Sequence, residues 1–179
     1  MPERPTSTVF VGISVDGFMA RPDGSFDFLP ETPEDHGFDA FMATVDVLVM
    51  GRNTFEVVLP FETWPYGRTR VAVLSTRPLD LSAAIARGAV VEQMSGSPEE
   101  IVDRLGAQGA RHLYVDGGDT IQRFMRAGLI DRLVVTRVPV LIGQGISLFG
   151  ALPADVRLRH VQTRTVASGL VQSEYEVVR

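Results

Sequence analysis

Short runs of apolar residues, many of them β-branched, recur along the chain and are separated by segments with helical spacing. Residues 47–50 are apolar at every position, which is typical of a strand buried on both faces of a parallel sheet. Ser97 and Glu100 form a capping-box pattern, which predicts the start of a helix. The predicted strands are residues 9–15, 47–50, 70–75, 89–92, 112–115 and 133–142. Five helices are predicted. The first starts at Thr32 with Pro33 at its first position, the second follows residues 51–54, and the third covers residues 81–87. The fourth starts at Ser97, and the fifth runs through residues 121–125 and ends at Gly128.

The end of the chain has a different pattern. Residues 156–166 and 170–178 alternate between apolar and polar positions around Ser168 and Gly169, which indicates an antiparallel hairpin. Strands and helices that alternate before ending in strands alone are typical of an α/β fold. We therefore predict a three-layer αβα sandwich with a mostly parallel central sheet and an antiparallel C-terminal edge hairpin. No repeat or linker divides the sequence, so residues 1–179 are predicted to form a single domain.

Composition and charge exclude several classes of protein. The formal net charge of −5 disfavours binding to a nucleic-acid backbone, which depends on clustered Lys and Arg. The absence of cysteine excludes disulfides, cysteine-ligated metals and thiol catalysis. His36, His112 and His160 do not stand at metal-ligand spacing, so no metal site is predicted. Neither a membrane-spanning apolar run nor a signal peptide is recognised, so a cytoplasmic enzyme is expected.

Three turns that follow predicted strands have residues suited to binding phosphate. In parallel sheets, ligands bind at the carboxyl ends of the strands. Glycines there let a ligand approach the backbone closely, and hydroxyl and guanidinium groups bind phosphate oxygens. Each turn taken alone could also be an ordinary connection, but three together favour one extended ligand with several phosphates, such as a phosphorylated dinucleotide. The turns are Gly51-Arg52-Asn53-Thr54, Ser75-Thr76-Arg77 and Asp116-Gly117-Gly118-Asp119-Thr120.

Seven short motifs connect the chain to a known group of proteins. They occupy residues 14–20, 50–56, 75–77, 115–118, 128–131, 139–145 and 169–175, in this order. With these motifs the chain resembles the dihydrofolate reductase-like superfamily, and in particular the RibD C-terminal domain of riboflavin biosynthesis. The resemblance covers nearly the whole chain and implies the fold that the apolar pattern predicts. It also implies a homodimer formed through the late strands, with the strand at 133–142 and the closing hairpin as candidate surfaces.

The resemblance further implies an NADPH-dependent reductase. Its members transfer a hydride to a small pterin- or pyrimidine-like heterocycle, as in the reduction of 5-amino-6-(5-phosphoribosylamino)uracil. The two arginines of the first two turns favour NADPH over NADH because they can bind an added phosphate dianion. Dihydrofolate reductase proper and a non-catalytic NADPH-binding protein are the alternatives. The expected cofactor-binding residues are Gly51, Arg52, Asn53, Thr54, Ser75, Thr76, Arg77, Gly117, Gly118, Asp119 and Thr120.

The resemblance also nominates catalytic and substrate-binding residues. Asp16 and Asp35 are the candidate catalytic carboxylates, each able to orient the water that donates a proton. Phe18, Arg68 and Thr136 are the candidate substrate contacts. Phe18 replaces a basic residue that riboflavin-type reductases usually carry, and a basic residue would suit a ribose-phosphate substrate.

Overall fold

A computed structural model describes residues 3–31 and 36–179 of the protein. Its strands are β1 (Thr6–Ser14), β2 (Phe18–Ala20), β3 (Val47–Gly51), β4 (Arg70–Leu74), β5 (Val90–Met94), β6 (His112–Asp116), β7 (Arg132–Val138), β8 (Ile146–Ser147), β9 (Leu158–Val166) and β10 (Leu170–Val177). Its helices are α1 (Phe38–Met42), α2 (Arg52–Val58), α3 (Ser82–Ala86), α4 (Pro98–Ala107) and α5 (Gly118–Arg126).

Eight of the strands form one sheet in the order β5-β4-β3-β6-β1-β7-β10-β9. The six strands from β5 to β7 are parallel to their neighbours, whereas β10 is antiparallel to β7 and β9 is antiparallel to β10. The predicted hairpin is therefore the antiparallel edge of a mostly parallel sheet. This arrangement confirms the predicted fold class.

The continuous apolar runs are explained by two cores, one on each face of the sheet. In β3, Val47 and Val49 belong to one core, and Leu48 and Met50 belong to the other. Successive side chains of a strand point to opposite faces, so a strand covered on both faces must be apolar at every position. Helices α4 and α5 contribute to the first core, and α1, α2 and α3 contribute to the second. The sheet thus lies between two helical layers, as predicted.

The observed elements differ from the predicted ones at several places. Strand β7 ends at Val138 because Pro139 follows, and proline has no N–H to continue a ladder. Strand β5 is shifted by one or two residues and ends at Met94. Helix α1 begins at Phe38, after Gly37 in a left-handed conformation. The predicted start at Thr32 and Pro33 lies outside the described residues.

The two shortest strands were not predicted. Strands β2 and β8 have three and two residues and pair with each other in an antiparallel ribbon beside the main sheet. Segments this short show no periodicity, so the sequence carries no signal for them. The ribbon is functionally relevant because it lies next to the N-terminus of α5, where a Cβ on Gly118 would be 2.5 Å from Ile146 Cγ2.

The topology brings distant parts of the chain to one edge of the sheet. Because β5, β4, β3, β6 and β1 are parallel, the turns at their carboxyl ends lie along one edge of the sheet, although up to about one hundred residues separate them in sequence. None of the helices in residues 3–31 and 36–179 has the length and apolar character that a membrane span needs.

Candidate active site

A cleft of about 600 Å³ runs along the carboxyl edge of the sheet. All three phosphate-type turns predicted from the sequence line it, so the structure brings together segments from residues 51–54, 75–77 and 117–120. The convergence on which the dinucleotide hypothesis depends is therefore present. All eleven expected cofactor residues lie in the lining: Gly51, Arg52, Asn53, Thr54, Ser75, Thr76, Arg77, Gly117, Gly118, Asp119 and Thr120.

The turns after β3 and β6 pack against each other at their glycines. Gly117 has φ of 93°, a conformation that glycine adopts without strain, and a Cβ there would collide with Thr54 Oγ1. A Cβ on Gly51 would lie 2.8 Å from Thr120 Oγ1. The two turns can be this close only because both glycines lack side chains. The floor of the cleft is therefore backbone with two threonine hydroxyls, a surface that phosphate oxygens can approach.

One end of the cleft is rich in arginine, and we call it the polar end. Arg52 lies with Nε 2.7 Å from Glu56 Oε1 and with Nη1 3.5 Å from Ser75 Oγ, which joins the first two turns. Ser75 Oγ donates to the carbonyl oxygen of Arg77 at 2.7 Å and orders the second turn. Arg123 of α5 reaches the same end, with Nη2 3.5 Å from the carbonyl oxygen of Gly96. Three guanidinium groups thus line one end of the cleft.

Sequence reasoning missed Arg123 and a fourth turn, Ser95-Gly96, which also lines the polar end. The turn follows β5, and the predicted strand stopped two residues early at Glu92, so its carboxyl end was misplaced. Arg123 carries no local signal, because a polar residue on the outer face of a predicted helix is ordinary. Only the packing of α5 beside β3 and β6 brings it to the cleft.

The opposite end, which we call the apolar end, is formed around β1 and the β2–β8 ribbon. Gly12 of β1 leaves space that the loop residue Leu29 occupies, since a Cβ there would lie 2.9 Å from Leu29 Cδ2. This end can hold a flat organic ring but presents few polar groups. Its main lining residues are Phe10, Val11, Met19, Phe26, Leu29 and Ile146.

The carboxylate of Asp116 lies between the polar end and the apolar end of the cleft. Asp116 was not among the predicted catalytic residues. It is half-buried at the end of β6, and one oxygen, Oδ1, accepts the Gly117 N–H at 2.9 Å. Burial raises the pKa of Asp116 to about 6, although the Gly117 hydrogen bond opposes the shift. Burial and the nearby Asp116 in turn raise the pKa of Tyr66, which also lines the cleft. An acid between a buried strand and a Gly-Gly pair is the signal that could have identified this residue.

Of the two predicted catalytic residues, only Asp16 lies within the described part of the chain. Asp16 is exposed in the turn after β1, and its carboxylate accepts the backbone N–H groups of Gly143 at 2.8 Å and Ile142 at 3.3 Å. Hydrogen bonds from the Ser14 side chain and from these backbone amides lower the pKa of Asp16. Asp16 therefore connects two loops and lies outside the cleft lining. Asp35 falls outside the described residues.

The predicted substrate contacts are not brought together either. Thr136 is buried in β7, where its hydroxyl accepts a hydrogen bond from Gln172 Nε2 at 3.0 Å. Arg68 is exposed, and Phe18 is half-buried in β2 with its N–H bonded to Ser14 Oγ at 3.0 Å. None of the three lies in the lining formed by the described residues, and their roles stay predictions. No group of three histidine, aspartate or glutamate side chains within the described part of the chain could hold a metal ion.

Comparison with known proteins identifies close matches over most of the chain. The sequence model of the RibD C-terminal domain matches residues 5–172. The uncharacterized protein YwjB of Bacillus subtilis (strain 168) is 30% identical over 161 residues, which is 88% of this chain and 89% of YwjB. A crystal structure from Shewanella sp. PV-4, of a protein with a riboflavin-biosynthesis name, is 37% identical with a TM-score of 0.88 and covers 97% of this chain and 99% of that one.

A more distant structure shows how widely the fold is shared. Dihydrofolate reductase from Enterococcus faecalis, in complex with NADP(H) and RAB-propyl, superposes with a TM-score of 0.67 over 97% of each chain. At 17% identity this likeness concerns the fold alone. The dihydrofolate reductase-like architecture expected from the resemblance is therefore confirmed.

Gly117→Ala should destabilise the protein more than Gly109→Ala. Both glycines have φ near +90°, so both variants carry a similar backbone strain of roughly 1–3 kcal/mol. Only at Gly117 does the added methyl meet Thr54, because nothing lies within 4 Å of a Cβ at Gly109. We expect an additional loss of about 1–3 kcal/mol in the free energy of unfolding, measured in urea. Adding Thr54→Ala should recover that additional loss; equal losses in the two single variants would show that the turn is not tightly packed.

Asp116→Asn should make stability at neutral pH higher and its pH dependence weaker. The folded-state pKa of about 6 lies above the ordinary 3.8, so protonation favours the folded state. The contribution of this carboxyl to stability is complete below about pH 4 and is lost as pH rises through 6. The free energy of unfolding should therefore be measured for wild type and Asp116→Asn at pH 4 and at pH 8. The two proteins should differ mainly at pH 8, where Asp116→Asn should be the more stable. Asp116→Glu keeps a carboxyl at this position, so its free energy of unfolding should still fall as the pH rises. Parallel pH profiles of stability for wild type and Asp116→Asn would contradict the raised pKa of Asp116.

Proposed function

The chain belongs to the RibD C-terminal domain family, and from this premise we propose that it is an NADPH-dependent reductase that transfers a hydride to a small heterocyclic substrate. The observation that carries the proposal is the convergence of three separate turns on one cleft with an arginine-rich end. A single turn of this kind is common in proteins. Three turns lining one cleft match an extended ligand with phosphates at more than one place.

The cleft can hold each part of such a cofactor with different residues. Arg52, Arg77 and Arg123 at the polar end suit the 2′-phosphate, because a planar guanidinium matches phosphate oxygens with two donors. The backbone at Gly117 and Gly118, at the start of the nine-residue helix α5, suits the pyrophosphate. This order directs the nicotinamide toward Asp116 and the apolar end. When bound, the cofactor supplies the hydride.

Asp116 is the proposed proton donor. Reduction of a C=N or C=O bond adds a hydride to carbon and a proton to nitrogen or oxygen, so the site needs an acid near the reacting atoms. With Oδ1 accepting from Gly117, the other oxygen of Asp116 remains to carry the proton. A pKa of about 6 leaves a fraction of the group protonated at neutral pH. Asp16 enters the proposal as a positioning residue, because its contacts with Ile142 and Gly143 hold the turn that leads into β2.

A homodimer formed through the C-terminal edge of the sheet is also proposed. Strand β9 is exposed at eight of its nine positions and is the last strand of the sheet. An edge strand of this length presents unpaired backbone groups that another strand can complete. Leu158, Val161 and Val171 expose apolar surface on this hairpin. A second copy of the chain, placed with the same edge facing this one, would cover these groups symmetrically.

Removing the arginines of the polar end should weaken binding of NADPH but not of NADH. Arg52→Ala and Arg77→Ala each remove a charge-assisted contact worth roughly 1.5–3 kcal/mol, so the dissociation constant for NADPH should rise by about ten- to a hundredfold. NADH has no 2′-phosphate, and its affinity should change little. Fluorescence titration of the nicotinamide measures both constants.

Arg111→Ala is the matched control, because Arg111 is exposed at the opposite, amino end of β6. It should leave both dissociation constants unchanged. If Arg52→Ala and Arg77→Ala weakened NADPH and NADH equally, the arginines would not be selecting for the extra phosphate. If the wild type bound neither dinucleotide, the proposed function would be wrong.

Disruption of the sheet edge should give monomers. Val161→Arg places a charge on the exposed face of β9, where Val161 is 39% exposed. Val178→Arg is the control, because Val178 is 50% exposed but lies beyond the end of β10. Sedimentation velocity should show a dimer for wild type and Val178→Arg and a monomer for Val161→Arg. A wild-type protein that sediments as a monomer at micromolar concentration would exclude this proposal.

A further inference from the structure

Resting on the proposed function, we propose that the substrate is an unphosphorylated, planar nitrogen heterocycle with exposed N–H groups, and that the site discriminates against the phosphorylated form of the same compound. The proposal follows from the uneven distribution of charge in the cleft.

All cations in the described lining lie at the polar end. Arg52 and Arg77 follow β3 and β4, and Arg123 faces the turn that follows β5. If the cofactor occupies this end, as proposed above, its own phosphates use these three guanidinium groups. The substrate must then bind at the remaining part of the cleft, between Asp116 and the β2–β8 ribbon. No arginine of the described lining is left there to neutralise a second phosphate.

The apolar end is a poor environment for a phosphate dianion. Phe10, Met19, Leu29 and Ile146 offer hydrocarbon and a thioether instead of donors. Transfer of a charged group from water into such surroundings is costly unless an opposite charge or several hydrogen bonds compensate. The carboxylate of Asp116 adds like-charge repulsion whenever it is ionised. Both effects act against a phosphorylated substrate and not against the same compound without its phosphate.

Two arginines outside the lining are already engaged in other contacts. Arg21 follows the lining residue Ala20, but its Nε donates to Asp27 at 2.5 Å and its guanidinium lies 5.7 Å from the centre of the Phe28 ring. Arg164 donates through Nε to Gln172 Oε1 at 2.9 Å. The sequence at 32–35 is Thr-Pro-Glu-Asp and contains no basic residue. Recruiting either arginine to a substrate phosphate would therefore replace one of these contacts.

The remaining groups fit a flat ring that donates hydrogen bonds. Aromatic and aliphatic side chains pack against the faces of planar rings, and Phe10, Phe26 and Tyr66 supply such surfaces. A half-buried carboxylate pairs well with adjacent amino and ring N–H groups, which can both donate to it. When ionised, Asp116 can accept such an N–H group through its second oxygen, since Gly117 uses only Oδ1. The same oxygen carries the proton in the protonated form. Amino-substituted pyrimidines and pterins have this pattern of donors.

Two matched pairs of compounds test the proposal. The first pair is 5-amino-6-ribosylaminouracil and its 5′-phosphate, and the second is 7,8-dihydroneopterin and its 3′-phosphate. Binding is measured by calorimetry to the protein saturated with NADP⁺, so that turnover is not needed. In at least one pair the unphosphorylated compound should bind about tenfold or more tightly, because the phosphate would be desolvated without a partner.

The outcomes separate this inference from the function on which it rests. A protein that does not bind NADP⁺ contradicts the proposed function itself. A protein that binds NADP⁺ but shows no preference of about tenfold for the unphosphorylated member in either pair overturns the inference, while the cofactor assignment stands. Binding of none of the four compounds has the same consequence.

A variant that restores a cation gives an independent readout. Leu29→Lys places an ammonium group at the apolar end and should improve binding of the phosphorylated compounds by about tenfold relative to the unphosphorylated ones. Leu29→Met has a similar volume without charge and should keep the wild-type preference. Met19→Lys is the second choice if Leu29→Lys does not fold. An unchanged preference in a folded lysine variant would show that charge at this end does not select the substrate.

Discussion

The close approach of the strand ends of β3 and β6 is the contact on which the cleft depends. Gly51 and Gly117 have no side chains, so Thr54 and Thr120 can occupy the space that a Cβ would need. This packing brings a backbone floor and two hydroxyl groups under the middle of the cleft. It also sets the spacing between the arginine-bearing turns on one side and the β1 end on the other. A larger residue at either glycine would push the two turns apart and change both ends together.

The distribution of charge follows from the order of strands in the sheet. The arginines come from turns after β3 and β4 and from α5, whereas the ribbon and β1 contribute apolar residues. A polar end and an apolar end therefore arise in one groove, with Asp116 between them at the end of β6. A ligand with phosphates at one end and a neutral ring at the other would complement the cleft along its full length. The same asymmetry makes a doubly anionic ligand, with phosphates at both ends, a poor match.

Much of the fold and half of the site could be predicted from the sequence, for a physical reason. Strands such as 47–50 are buried on both faces, so their apolar runs are unambiguous, and the turns that follow carry glycine, arginine and hydroxyl residues that stand out locally. The parts that were missed depend on tertiary packing. Arg123 reaches the cleft only because α5 packs beside β3, and the β2–β8 ribbon is too short for periodicity. The resemblance nominated Asp16, whose catalytic role stays a prediction. Its carboxylate accepts the N–H groups of Ile142 and Gly143, a long-range contact that no local pattern indicates.

The role proposed for Asp116 as proton donor would oppose stability in the same residue. The burial that raises its pKa to about 6 also penalises the ionised form in the folded protein at neutral pH, and the Gly117 N–H offsets only a part of that penalty. An asparagine at this position could accept the same hydrogen bond without the penalty. The fold alone therefore gives no advantage to a carboxyl group here, whereas the proposed proton donor needs an acidic group at this position. Because Asp116 lies between the polar end and the apolar end, the proposed proton transfer there would account for this cost in stability.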